Sequence, residues 1–172
     1  ERAVAVNPYQ TQFISGLVDA VLASGSVEKK QQVVAKYEAQ FANDGDRLNT
    51  LAWSLATAAD VRMRDPDEAV RLAKRSTELK PTDDSAWNTL GVALHYAGDM
   101  PGALEAIRRS VRIQGAGNVV DWLFLAMTLQ RIGNTGEARV WYERAVDWMA
   151  TQSGVDPETA RFRAEADALF AK

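Results

Sequence analysis

The sequence predicts an all-α fold built of stacked helical hairpins, and three observations carry that prediction. A pattern recurs every 34 to 35 residues. Within each unit the apolar residues keep the i, i+3, i+4, i+7 spacing of a helix face, and alternating strand patterns are absent. Prolines, aspartates and asparagines fall where those helices would begin.

The repeat is clearest when Trp87 is aligned with Trp122, 35 residues on. Leu90 then meets Leu125, Gly91 meets Ala126, Leu94 meets Leu129, Gly98 meets Gly133 and Ala103 meets Ala138. A step back of 34 carries Ala103 to Ala69 and Ser110 to Ser76. Trp87, Leu90, Gly91 and Leu94 form one face of a first helix, and Ala103, Ile107, Ser110 and Ile113 one face of a second. Gly91 and Ala103 are small because two helix axes cross there, and Trp87 is expected to be buried between units. Asp65-Pro66-Asp67-Glu68, Asn134 with Glu137, and Asp156-Pro157-Glu158 read as capped helix starts.

Six segments follow. Residues 1–8 read as the tail of a preceding repeat helix, because Glu1-Arg2-Ala3-Val4 copies Glu143-Arg144-Ala145-Val146. Residues 9–44 read as a degenerate hairpin, with Phe13, Leu17 and Val21 on one helix and Val34, Tyr37 and Phe41 on the other. Repeats occupy 45–83, 84–117 and 118–152, and 153–172 forms an amphipathic capping helix (Phe162, Ala166, Leu169, Phe170). In the first repeat Ala52 and Ala69 are 17 residues apart, against 12 between Gly91 and Ala103, so its turn near Ala59–Arg64 is five residues longer. Closure entropy makes such a lengthening cheap. The first residue is not methionine, so a piece of a longer or processed protein is expected.

Composition narrows function by exclusion. The chain has 172 residues, is 47% hydrophobic and 25% charged, and carries a formal charge of −3. It lacks cysteine, which removes thiolate nucleophiles and Cys-based metal sites, and its one histidine, His95, leaves little for an imidazole cluster. The acidic balance argues against general nucleic-acid binding. The longest apolar run, Trp122 to Met127, is far below the ~20 residues that span a bilayer. The expectations are accordingly no catalytic residues, no metal, no cofactor, no nucleic acid and no membrane, with the cytoplasm as default location.

On Trp87, Leu90-Gly91, Leu94, Ala103 and Ile107, and again on Trp122, Leu125-Ala126, Leu129, Ala138 and Tyr142, the chain resembles the tetratricopeptide repeat (TPR) family. Leucine replaces the usual tyrosine and the closing proline is missing in both units. The resemblance implies a right-handed superhelical solenoid whose first helices line a concave groove for a partner peptide or helix. Carried over position by position, the groove residues are Asn49 and Trp53; Asn88, Val92, His95 and Tyr96; and Leu123, Met127, Gln130 and Arg131. Segments such as Asn49–Thr57 and Trp87–Leu94 also look like repeats near the C-terminal ends of large bacterial proteins, including serine/threonine kinases.

Each notable residue also has a plain structural reading. His95 lacks triad partners and reads as a groove or packing histidine. Gly115-Ala116-Gly117 reads as a helix stop, and Asp44, Asp46, Asp83 and Asp84 as residues that precede or cap helices. Lys74-Arg75 and Arg108-Arg109 read as a solvated stripe on the second helices, with Glu105 as an i, i+4 partner for Arg109. Trp141, Tyr142 and Trp148 are expected to fill the interface to the last helix. The functional expectation is a protein–protein interaction scaffold binding a protein or peptide in its groove. Its alternative is a regulatory or substrate-recruiting appendage of a bacterial signalling enzyme such as a kinase, acting in cis. A third is self-association through exposed ends.

Overall fold

The computed structural model describes residues 20–171 apart from 22. Its elements are α1 (Val27–Phe41), α2 (Gly45–Thr57), a 3-10 turn (Val61–Met63), α3 (Pro66–Leu79), α4 (Asp84–Ala97), α5 (Met100–Gln114), α6 (Val119–Arg131), α7 (Thr135–Ala150) and α8 (Pro157–Phe170). Three antiparallel hairpins, α2–α3, α4–α5 and α6–α7, pack in sequence, giving the all-α repeat solenoid. The tail at 1–8, and Phe13 and Leu17 of the expected first hairpin, lie outside the described residues.

Helix starts follow their chemistry. Asp44, Asp65, Asp83, Asp99, Asn134 and Asp156 each accept a hydrogen bond from a first-turn backbone N–H. Asn118 and Asp121 close a full capping box on α6. The Gly115 stop is left-handed, with φ 91°, and its N–H returns to the Val111 carbonyl.

One continuous core runs through the stack, from Tyr37 and Phe41 of α1 to Phe162 and Ala166 of α8. The small positions lie where helices touch. A Cβ on Gly91 would sit 2.3 Å from Ile107 Cγ1 and 3.1 Å from the Ile107 backbone nitrogen. Ser76 is fully buried and donates to the Gly45 carbonyl at 2.8 Å, tying the end of α3 to the start of α2. Helix α1 is pinned to the first repeat by charge: buried Lys30 meets Asp65 at 3.0 Å, and Arg71 grips both carboxylate oxygens of Glu38 at 2.6 Å.

The repeat tryptophans clamp the turns that precede their helices. Trp87 Nε1–H donates to the Pro81 carbonyl and Trp122 Nε1–H to the Ala116 carbonyl, both at 3.0 Å. An arginine from the following second helix covers each ring, Arg109 over Trp87 and Arg144 over Trp122, both at 4.3 Å. Trp87, however, is only half-buried, so the burial between units expected of it is incomplete. Trp122 is 8% exposed because Trp148 adds an edge-on contact at 6.4 Å. Trp122→Ala is therefore expected to cost about 3–5 kcal/mol and Trp87→Ala roughly half that, as thermal unfolding would read.

The basic pairs also differ in detail from the sequence reading. Arg109 lies on Trp87, Arg108 bonds Glu137 at 2.7 Å, and Arg75 bonds Glu78 at 2.9 Å. Trp148, 40% exposed, faces Trp122 rather than the last helix, and Trp141 lies under Arg144. Tyr142 does meet the last helix, stacked on Phe170 at 4.3 Å.

Candidate functional site

The candidate site is the face lined by the first helices α2, α4 and α6, and the chain's own α8 lies along it. Helix α8 covers the third repeat, where Phe162 meets the Phe124 ring at 5.1 Å. It reaches the other two repeats as well. Trp53 of the first repeat sits edge-on to Phe162 at 5.9 Å, and its Nε1–H donates to Glu158 at 3.1 Å. Thr57 Oγ1 lies 3.0 Å from the other Glu158 oxygen. From the second repeat, Tyr96 donates its phenol proton to Glu165 at 2.7 Å.

The lengthened turn of the first repeat takes part in this. Met63 of its 3-10 turn is fully buried, and Asp65 N–H bonds the Leu55 carbonyl at 2.9 Å, folding the insertion onto α2. Arg64 is thereby aimed across the face. Its guanidinium lies 4.7 Å from the centre of the Tyr96 ring and 3.3 Å from Glu165. Burial pushes the Tyr96 phenol up, and the bond to Glu165 adds to that, so Tyr96 acts as a fixed donor. At the far end Tyr142 donates to Asp167 at 2.7 Å, and Arg163 pairs with the same carboxylate. Partial burial opposes charge on Asp167, but these two donors outweigh it and hold its pKa below the ordinary value.

The ten sequence-derived groove residues divide sharply. Asn88, Val92, His95, Leu123 and Met127 are buried, so their reading as partner-contacting groups is corrected. They form the seam between first helices of successive repeats. Asn88 Nδ2–H donates to Asp121 at 2.7 Å, and His95 Nδ1 pairs with Thr128 Oγ1 at 2.8 Å. Val92, Leu123 and Met127 are part of the core. Trp53 and Tyr96 do face the groove, but they hold α8. Asn49 is half-buried, donating to Ser85 at 3.2 Å, while its Oδ1 is buried without a partner. Gln130 is half-buried and Arg131 exposed.

His95 is a packing group, enclosed edge-on by Tyr96 and Phe124. Burial, with Arg131 nearby, pushes its pKa down from 6.5 to about 3, so it stays neutral in the folded chain. The unfolded chain takes up this proton as pH falls below 6.5, whereas the folded chain resists until about 3. His95 therefore makes stability fall with decreasing pH, with a slope approaching about 1.4 kcal/mol per pH unit. Denaturant unfolding between pH 7 and 5 should show this slope in the wild type, reduced in His95→Gln. Burial also raises the Asp121 carboxyl, against the bond from Asn88; its contribution has the opposite sign and cancels in that comparison.

Residues 122–149 match the family described as Tetratricopeptide repeat, so the all-α repeat solenoid contains a repeat of this kind. Among solved structures it is similar to the crystal structure of MamA protein, at 18% identity, a TM-score of 0.64, and coverage of 96% of this chain and 90% of that one. A second crystal structure of MamA is similar at 16% identity and a TM-score of 0.60, covering 90% and 94%. At these identities the likeness concerns the fold. No curated protein matches the chain. None of these comparisons carries the kinase-linked expectation. Among the described residues no helix is long and apolar enough to cross a membrane.

Proposed function

We propose that the protein is a TPR interaction scaffold that holds a helical segment of a partner protein along the face of its first helices, without chemistry of its own. The observation that carries this reading is α8 itself. The face supplies Trp53, Arg64 and Tyr96 from two repeats, and together they seat an amphipathic helix by its carboxylates and its aromatic ring. A receptor already rigid in its core loses little conformational entropy on binding. Exposed Arg131 and half-buried Gln130 and Asn49 are proposed as further partner contacts of this face.

A photo-crosslinking residue at Gln130 or Asn49, compared with one at exposed Val140 on α7, tests the reading. Cross-linked partners from source cells are expected at the first two positions and not at Val140. Adducts confined to Val140 would contradict it.

A further inference from the structure

We infer that α8 is a releasable occupant of the groove, and that the partner which replaces it is an acidic amphipathic helix carrying the pattern carboxylate-x3-aromatic-x2-carboxylate. The inference rests on the scaffold reading and names the partner's chemistry. In α8 the pattern is Glu158, Phe162 and Glu165, at i, i+4 and i+7 on one helix face. The groove side chains that meet these carboxylates are donors, the Trp53 indole, the Arg64 guanidinium and the Tyr96 phenol, while Arg161 of α8 donates in turn to the Thr57 carbonyl. Carboxylates accept from such donors more strongly than neutral oxygens do, and only they also neutralise the Arg64 guanidinium.

Three features mark α8 as an imperfect occupant. Only Thr159, Phe162 and Ala166 of its fourteen residues are buried. A cavity of about 410 Å³ remains between Trp53, Thr57 and Ala58 on the groove side and Pro157, Glu158 and Arg161 on α8. Arg161 donates through Nη2 to the Thr57 carbonyl, but its Nη1 is buried there without a hydrogen-bond partner, a desolvation cost that ends when α8 leaves. The stretch from Thr151 to Gly154 is exposed, giving α8 a solvated tether to α7. Beyond α8, the unpartnered Asn49 Oδ1 lies beside a second cavity shared with Trp53 and Ser85. A partner helix that continues past Trp53 reaches this second pocket, which no residue of α8 lines. An intramolecular occupant lowers a competitor's apparent affinity in proportion to the closed fraction, so weakening the occupant strengthens binding.

The test uses the full chain and a fluorescent peptide of residues 155–171 as probe. The latch is weakened by Glu158→Gln with Glu165→Gln, which leaves Phe162 in place and the fold intact. The weakened chain is expected to bind the peptide at least about tenfold more tightly than the wild type. A peptide carrying the same two glutamines is expected to lose at least about tenfold against the weakened chain. Equal binding by both chains, or binding by neither while circular dichroism reports intact helices, would overturn the proposal. Dimers of the weakened chain by light scattering would also overturn it, by giving the groove to a second copy. The scaffold reading is judged separately: cross-links at Gln130 or Asn49 with no peptide binding would leave it standing.

Discussion

Phe162→Ala is expected to produce the largest loss attached to the groove. The ring is fully buried, edge-on to both Trp53 and Phe124. Removing a buried phenylalanine ring ordinarily costs about 3–5 kcal/mol, from lost transfer energy and the cavity left behind. Here the loss is capped by the free energy with which α8 docks, because a destabilised α8 can leave while the three hairpins persist. Hydrogen exchange separates the two outcomes. Amides of α8 are expected to lose protection first, with those of α4 and α6 less affected. Uniform loss of protection across the chain would mean instead that α8 and the repeats unfold as one unit.

Gly91→Val is expected to be comparably severe, for the opposite reason. The added Cβ alone meets Ile107 Cγ1 at 2.3 Å, and behind it stand the Ile107 nitrogen at 3.1 Å and the Ala103 carbonyl at 3.3 Å. Ile107 is β-branched and fully buried, so its side chain has little room to turn away. The α4–α5 crossing must open, at a cost of about 3 kcal/mol or more. Replacing a helical glycine ordinarily gains up to about 1 kcal/mol, which does not offset this. Chemical denaturation should show a clearly lowered midpoint; an unchanged one would contradict the register in which Gly91 faces Ile107.

These two residues also mark what was legible in the sequence. Gly91 belongs to a local pattern: its equivalents recur a repeat apart, and contacts within a hairpin involve residues close in the chain. Helical period, caps and small crossing residues are all signals of that range, and they describe the hairpins well. The contact of Phe162 with Trp53 has no such signal, since 109 residues separate them. Positions carried over from the family pattern treated the groove as empty. Asn88 consequently read as a groove amide and His95 as a groove or packing histidine, although Asp121 and Thr128 of the next repeat satisfy them.

The five residues inserted before Asp65 look like an inert loop extension, yet they present Arg64 to Glu165. On α8, Glu158 and Glu165 share a face with Phe162, an arrangement that suits a donor-lined seat better than a cap with one apolar and one solvated face. The half-burial of Trp87 has a different origin: its ring packs on the turn at Pro81 and under Arg109, without the second indole that Trp148 gives Trp122.

The most direct test of the account is a nuclear Overhauser measurement on the aromatic side chains. With α8 along the groove, ring protons of Phe162 should show cross-peaks to the Trp53 indole of the first repeat as well as to Phe124 of the third, since the ring centres lie 5.9 and 5.1 Å apart. Cross-peaks from Phe162 to third-repeat residues alone, with none to Trp53, would place α8 as a cap on the end of the stack and contradict a groove occupied by its own chain.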